Sequence, residues 1–145
     1  MGLLEFLKDA GEKIFSPGKN EADAISERLT RVFKDRLSGL RVEYDKGAVT
    51  LYGTCDTQST KEKAMLIAGN IQGVATVNGD NLMAPPGEEV EFYTIVSGDT
   101  LWKIAQKYYG KGSRYPEIFE ANKEVIKNPD LIYPGQRIRI PKAKA

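Results

Sequence analysis

No histidine occurs anywhere in the 145 residues, and cysteine occurs once, as Cys55. The first absence removes His-dependent acid–base chemistry and Ser–His–Asp triads. Together they remove an intramolecular disulfide and any zinc site of the ordinary Cys/His kind. An excess of charge is also missing: 21 Lys and Arg stand against 20 Asp and Glu. The first 84 residues carry a net −1 and the rest +2. Neither part offers the field that a phosphate backbone requires, so no nucleic-acid partner is expected. No stretch approaches the roughly 20 apolar residues of a membrane span, and no membrane partner is expected. The opening Met1-Gly2-Leu3-Leu4-Glu5-Phe6-Leu7-Lys8-Asp9 is broken by Glu5 and leads to no small-residue cleavage site, unlike a secretion signal. Phe6 stands where a myristoylation signal wants Ser or Thr. The expected compartment is the cytoplasm.

What remains for metal chemistry is oxygen: carboxylates, amides, hydroxyls and main-chain carbonyls, which suit hard cations. Hydrophobic residues make up 41% and charged residues 28%, the balance of a folded protein and not of a disordered one. The length allows one ordinary domain or two very small ones.

Residues 3–15 read as a short amphipathic helix, with Leu3, Leu4, Leu7 and Ile14 near helical spacing and Gly11 as an interruption. Its charges are balanced, so docking on the protein body is expected over a membrane surface, which favours an excess of Lys and Arg. Ser16-Pro17-Gly18 is a break. Residues 21–37 form a stronger helix on the stripe Ile25, Leu29, Val32, Phe33 and Leu37. Residues 40–44 and 48–52 alternate as strands and are joined at Asp45-Lys46-Gly47 as a hairpin. Residues 57–68 return to helical period, capped by Thr57 or Ser59, and Gly69-Asn70 ends them. Val74–Val77 opens a third strand. Ala84-Pro85-Pro86-Gly87-Glu88-Glu89-Val90 is a boundary, with Glu88 and Glu89 as a solvated charge pair. Beyond it, residues 91–96 read as a strand. A helix follows, capped by Asp99 or Thr100 and carrying Leu101, Ile104, Ala105 and Tyr108. A short helix from Pro116 and a strand over 136–140 complete the pattern. The expected class is α+β in two small domains. The first is α-β-β-α-β with helices on one face, the second β-α-α-β. The expected divisions are 1–20 for the docking helix, 21–84, a linker at 85–90, and 91–145.

The second domain resembles a LysM domain. The likeness rests on Tyr93-Thr94-Ile95-Val96-Ser97-Gly98-Asp99-Thr100-Leu101-Trp102-Lys103-Ile104-Ala105, on Glu120-Ala121-Asn122, and on the run from Pro129 to Pro141. Residues 21–83 resemble a BON domain in element order, in Gly47-Ala48-Val49-Thr50-Leu51-Tyr52-Gly53 and in Ile71-Gln72-Gly73-Val74. A short N-terminal helix, one BON domain and one C-terminal LysM domain together are similar to the bacterial potassium-binding protein family. The resemblance implies a non-enzymatic, monomeric cytoplasmic protein that binds K+ as a sensor or buffer, changes conformation on doing so, and serves in a stress response.

A large, weakly hydrated monovalent ion is held by neutral carbonyl oxygens, and helix C-termini present such oxygens with partial negative charge. Two segments are expected to supply them, around Leu7 to Gly11 and around Gly69 to Val74. The candidates, carried over by position from the family, are the main-chain oxygens of Leu7, Ala10, Gly69, Ile71 and Val74. The other implied activity is binding of peptidoglycan or N-acetylglucosamine polymers by the LysM domain. Its candidate residues are Gly98, Asp99, Thr100 and Leu101 on one loop and Ile132, Tyr133 and Pro134 on another. Asn78-Gly79-Asp80-Asn81 resembles part of a calcium loop but lacks its downstream Glu and flanking helices.

Overall fold

A computed structural model describes residues 2–88 and 90–142. Residue 1, Glu89 of the expected charge pair and the last three residues of the expected LysM domain lie outside the described residues. The chain divides between Gly87 and Glu88 into two compact units, and both mix helix with sheet.

The first unit contains β1 (Leu3–Glu5), α1 (Glu21–Phe33), β2 (Leu37–Asp45), β3 (Ala48–Cys55), α2 (Gln58–Gly69) and β4 (Thr76–Met83). Its sheet runs β1-β4-β3-β2. α1 starts where the Asn20 side chain accepts the Asp23 N–H at 3.0 Å, with Glu21 and Asp23 favourably placed at the positive helix end. It buries Ala24, Ile25, Leu29 and Phe33, one stripe at helical period. The helix stops at Phe33, four residues short of the expected end. Lys34 takes a positive φ of 51°, a 3-10 turn follows, and Leu37 already belongs to β2. β2 and β3 are closed by two residues, Lys46 and Gly47, both with positive φ, the geometry that a two-residue hairpin favours. Thr57 caps α2 by accepting the Thr60 N–H at 3.1 Å. α2 then returns the chain so that β4 lies parallel to β3.

The N-terminal segment corrects the helix expected within residues 1–20. Leu3–Glu5 is a strand, antiparallel to β4 with Leu4 opposite Val77. Leu4 is 3% exposed and its neighbour Leu3 53%, the alternation of a strand. The spacing of Leu3, Leu4 and Leu7 fits a helix equally well on paper. The open edge of β4 decides the matter, because pairing there satisfies main-chain groups that a short helix would leave to water. After β1 the chain continues as an extended strap across the end of α2.

The second unit is built on β5 (Val90–Thr94) and β6 (Arg137–Pro141), an antiparallel pair, with α3 (Leu101–Tyr109) and α4 (Tyr115–Ala121). Thr100 caps α3 by accepting the Lys103 N–H at 3.1 Å, and Gly110 ends it in the left-handed conformation. Ile95, Leu101, Ile104, Ala105, Ile118, Ile126, Ile138 and Ile140 form the core. At its rim Asn122 is wholly buried. Its side chain donates to the carbonyls of Ile118 and Arg139 at 2.8 Å each and accepts the Arg139 N–H at 2.9 Å. One amide thus ties α4 to β6. Among the described residues no helix is long and apolar enough to cross a membrane.

Candidate functional site

The strap lies against the turn that leads from α2 to β4, held by main-chain bonds along its length. The Phe6 N–H donates to the Ala75 carbonyl at 2.8 Å, and the Gly73 N–H to the Lys8 carbonyl at 2.8 Å. The Glu12 N–H donates to the Asn70 carbonyl at 2.9 Å, and the Gln72 N–H returns to the Glu12 carbonyl at 2.9 Å. Glu12 also grips Arg28 of α1 through both carboxylate oxygens, at 2.8 and 3.1 Å. Two glycines permit this closeness. A Cβ on Gly11, whose φ is +108°, would come 2.4 Å from the Asn70 carbonyl oxygen, and one on Gly69 would enter the Phe6 ring. Gly69 itself is an ordinary helical residue, so its smallness and not a positive φ is what the packing of the strap uses.

The strap bonds that flank Leu7 and Ala10, from Phe6, Lys8 and Glu12, end on Asn70, Gln72, Gly73 and Ala75, the chain neighbours of Gly69, Ile71 and Val74. The expected second helix end at Leu7–Gly11 is a turn instead, in which the Ala10 N–H donates to the Leu7 carbonyl at 3.0 Å. Helix-dipole support therefore comes from α2 alone. A trans peptide points its C=O opposite to its N–H, so the anchored amides aim the carbonyls. The Gln72 N–H, bound to Glu12, shares its peptide with the Ile71 carbonyl. The Ala75 N–H donates to the Gly47 carbonyl at 2.7 Å and shares its peptide with the Val74 carbonyl. The Asn70 N–H donates back to Leu66 at 2.8 Å, which turns the Gly69 carbonyl out of the end of α2.

The Leu7 and Ile71 carbonyls each accept one turn amide, Ile71 from Val74 at 3.1 Å, and each keeps a second lone pair. Outside helices and strands, no main-chain amide of the described residues donates to Ala10, Gly69 or Val74. Ile71 and Val74 are buried, whereas Leu7 is 57% exposed. A shallow cavity of about 270 Å³ adjoins the strap. Lys8, Asp9, Lys13, Phe15, Gln72 and Gly73 line it, and none of the five expected oxygen donors does.

The second unit carries a groove of about 340 Å³ lined by Asp99, Thr100, Leu101, Trp102, Tyr115, Pro129, Asp130 and Ile132. Four of the expected glycan residues, Asp99, Thr100, Leu101 and Ile132, are thereby brought together. Gly98, Tyr133 and Pro134 are not among the lining residues. Asp99 is largely occupied within the fold: one carboxylate oxygen accepts the Tyr93 hydroxyl at 2.5 Å and the Val96 N–H at 2.9 Å. That bond, helped by burial, pushes the Tyr93 phenol up to about 12. Trp102 is half exposed at the rim, and its indole lies over Gly112. Cys55 is buried, and burial pushes its thiol up to about 11, far from the range of a reactive thiolate.

Residues 21–83 match the family model described as BON domain, and residues 93–141 the one described as LysM domain. The chain is 40% identical over 147 aligned positions to the potassium binding protein Kbp of Escherichia coli, covering 97% of this chain and 99% of that protein. The chain belongs to the Kbp family. A protein of Deinococcus radiodurans is 33% identical, over 82% of this chain and 55% of its own length. The spore coat assembly protein ExsA of Bacillus cereus is 40% identical over 36% of this chain and 8% of its own length.

Within this Kbp-family chain, sequence reasoning did not find Phe6, Glu12 and Arg28, which dock the strap, or Tyr115, Pro129 and Asp130, which wall the groove. Gly11 did leave a signal, as a glycine inside an otherwise helical pattern. The residues not found act through contacts with residues distant in the chain.

Proposed function

We propose that this chain binds the potassium ion in its first unit through the main-chain oxygens of Leu7, Ala10, Gly69, Ile71 and Val74. The observation that carries the reading is 40% identity along 97% of the chain with a protein named for potassium binding. The donor chemistry supports it. Neutral carbonyl oxygens replace the water shell of a large monovalent cation, and the end of α2 adds partial negative charge. Among the described residues, no three Asp, Glu or Cys side chains gather to hold an ion, so main-chain oxygen is the donor on offer.

An ion that ligates both the strap and the α2–β4 turn binds only the docked form, and so draws the strap down. Potassium then acts as a conformational ligand, and the protein as a monomeric cytoplasmic sensor or buffer that binds and does not catalyse. Melting the full chain in potassium and in sodium chloride at matched ionic strength tests this. The midpoint is expected to rise more in potassium, and deletion of residues 1–15 is expected to remove the difference. Equal midpoints for the two salts end the proposal.

The groove of the second unit favours a second reading, binding of N-acetylglucosamine polymers, since Trp102 and Tyr115 offer apolar ring faces beside it. Retention of the full chain on chitin, lost in Trp102→Ala, is the expected result. Passage through the column unretained removes this reading.

A further inference from the structure

The turn that carries Ile71 and Val74 is also held by the β2–β3 hairpin, and one side chain of that hairpin acts on it. The Tyr44 hydroxyl donates to the Gly73 carbonyl at 3.0 Å. That carbonyl shares its peptide unit with the Val74 N–H, which donates to the Ile71 carbonyl at 3.1 Å. One rigid plane is thus gripped at its C=O end by Tyr44 and touches a proposed ion-binding oxygen at its N–H end. The neighbouring plane is held in the same way by main chain, with the Ala75 N–H on the Gly47 carbonyl of the hairpin loop.

Gly73 has a positive φ of 103°. Glycine populates that region and the right-handed one with equal ease, so this turn needs an external hold to keep one orientation. The Tyr44 ring is itself steadied by Phe15 of the strap, edge to face at 5.4 Å. The same Phe15 ring lies over Gly73, 3.2 Å from where a Cβ would stand.

We infer that Tyr44 is a positioning residue for the ion site: by fixing the Gly73–Val74 peptide, it holds the Val74 N–H on the Ile71 carbonyl, and so sets the direction of that oxygen and the size of ion the turn fits. The inference rests on the proposed potassium site. It does not make Tyr44 a ligand, since its hydroxyl is a donor to Gly73 and stands outside the proposed set of oxygens.

The test compares the full-length wild type with Tyr44→Phe, which removes the hydroxyl and keeps the ring against Phe15. Tyr52→Phe is the control, since the Tyr52 hydroxyl is engaged with Glu43 on the exposed sheet face at 2.7 Å. Each protein is titrated with potassium chloride and with sodium chloride by calorimetry and melted without either ion. The expected result for Tyr44→Phe is a potassium affinity about three- to tenfold weaker, the range of one lost hydrogen bond. Its preference for potassium over sodium is expected to narrow, with the ion-free melting point lower by a few degrees, the cost of one part-buried hydrogen bond. Tyr52→Phe is expected to change neither. If the wild type binds potassium and Tyr44→Phe keeps the same affinity and preference, the positioning role is overturned while the site stands. If Tyr44→Phe weakens both ions by one common factor, the residue is structural and the role is likewise overturned. If the wild type takes up no potassium, the site itself fails and the inference falls with it.

Discussion

The two units solve the same problem, tying a distant stretch of chain to a helix end, with different parts. In the first, the strap meets the α2–β4 turn through main-chain donors and acceptors from Phe6, Lys8, Glu12, Asn70, Gln72, Gly73 and Ala75. In the second, α4 meets β6 through the side chain of one residue, Asn122. A main-chain contact requires shape: room for close approach and little else. A buried side-chain amide requires one residue type with both its donor and its acceptor in use. The first arrangement leaves carbonyls available to a ligand, and the second uses up the groups that it brings together.

The contrast is sharpest at Asn122. Truncation in Asn122→Ala leaves the Arg139 amide and two carbonyls without their partner in a dry setting. The expected cost is about 3–5 kcal/mol, enough to unfold a unit of this size. Amide exchange followed residue by residue is expected to lose protection over 90–142 and keep it over 2–88. Uniform protection after the substitution breaks the comparison.

In the first unit the vulnerable feature is space. Gly69→Val drives a branched side chain into the Phe6 ring, and overpacking of this kind costs about 1–3 kcal/mol. The strap is expected to lift, and potassium affinity to fall about tenfold or more, while the core strands stay protected. Unchanged affinity in a calorimetric titration separates the strap from the ion.

The smallest effect is one of pH and falls on the second unit. The Tyr93 phenol, pushed up to about 12 chiefly by its bond to Asp99, holds its proton more firmly folded than unfolded. Its contribution is fully present below about pH 10 and is lost as the pH rises towards 12. Tyr108 and Tyr109, raised by burial, act in the same direction. Tyr93→Phe is expected to flatten part of the alkaline loss of stability in the second unit and leave that of the first unaltered, as read by denaturant melts from pH 8 to 11.5.

Where a residue's job is written in its own type or in a period, the sequence was legible. Ile25, Leu29 and Phe33 announce α1, Lys46-Gly47 the hairpin, and Thr57 and Thr100 their helices. The element order of both units could be read for the same reason. The N-terminal strand could not, because three leucines near a glycine carry no period long enough to separate helix from strand. What chose the strand was the unpaired edge of β4, more than seventy residues on. The proposed oxygens have a related difficulty: every residue has a carbonyl, so nothing in Leu7 or Ile71 as a residue type marks it. The docking of the strap becomes visible only once Gly11 and Gly69 are seen to be the places where two stretches of backbone and a phenyl ring come within touching range.

The brevity of β1 has a consequence for the protein between binding events. Three residues screen part of an eight-residue rim on β4. Whenever the N-terminus peels away, that rim lies bare, with unquenched amides that match any extended peptide, including the N-terminus of another copy. Trading those short segments between molecules is the cheapest means of covering it again. Under the proposed function, a cation that kept the tail seated would also guard against self-association.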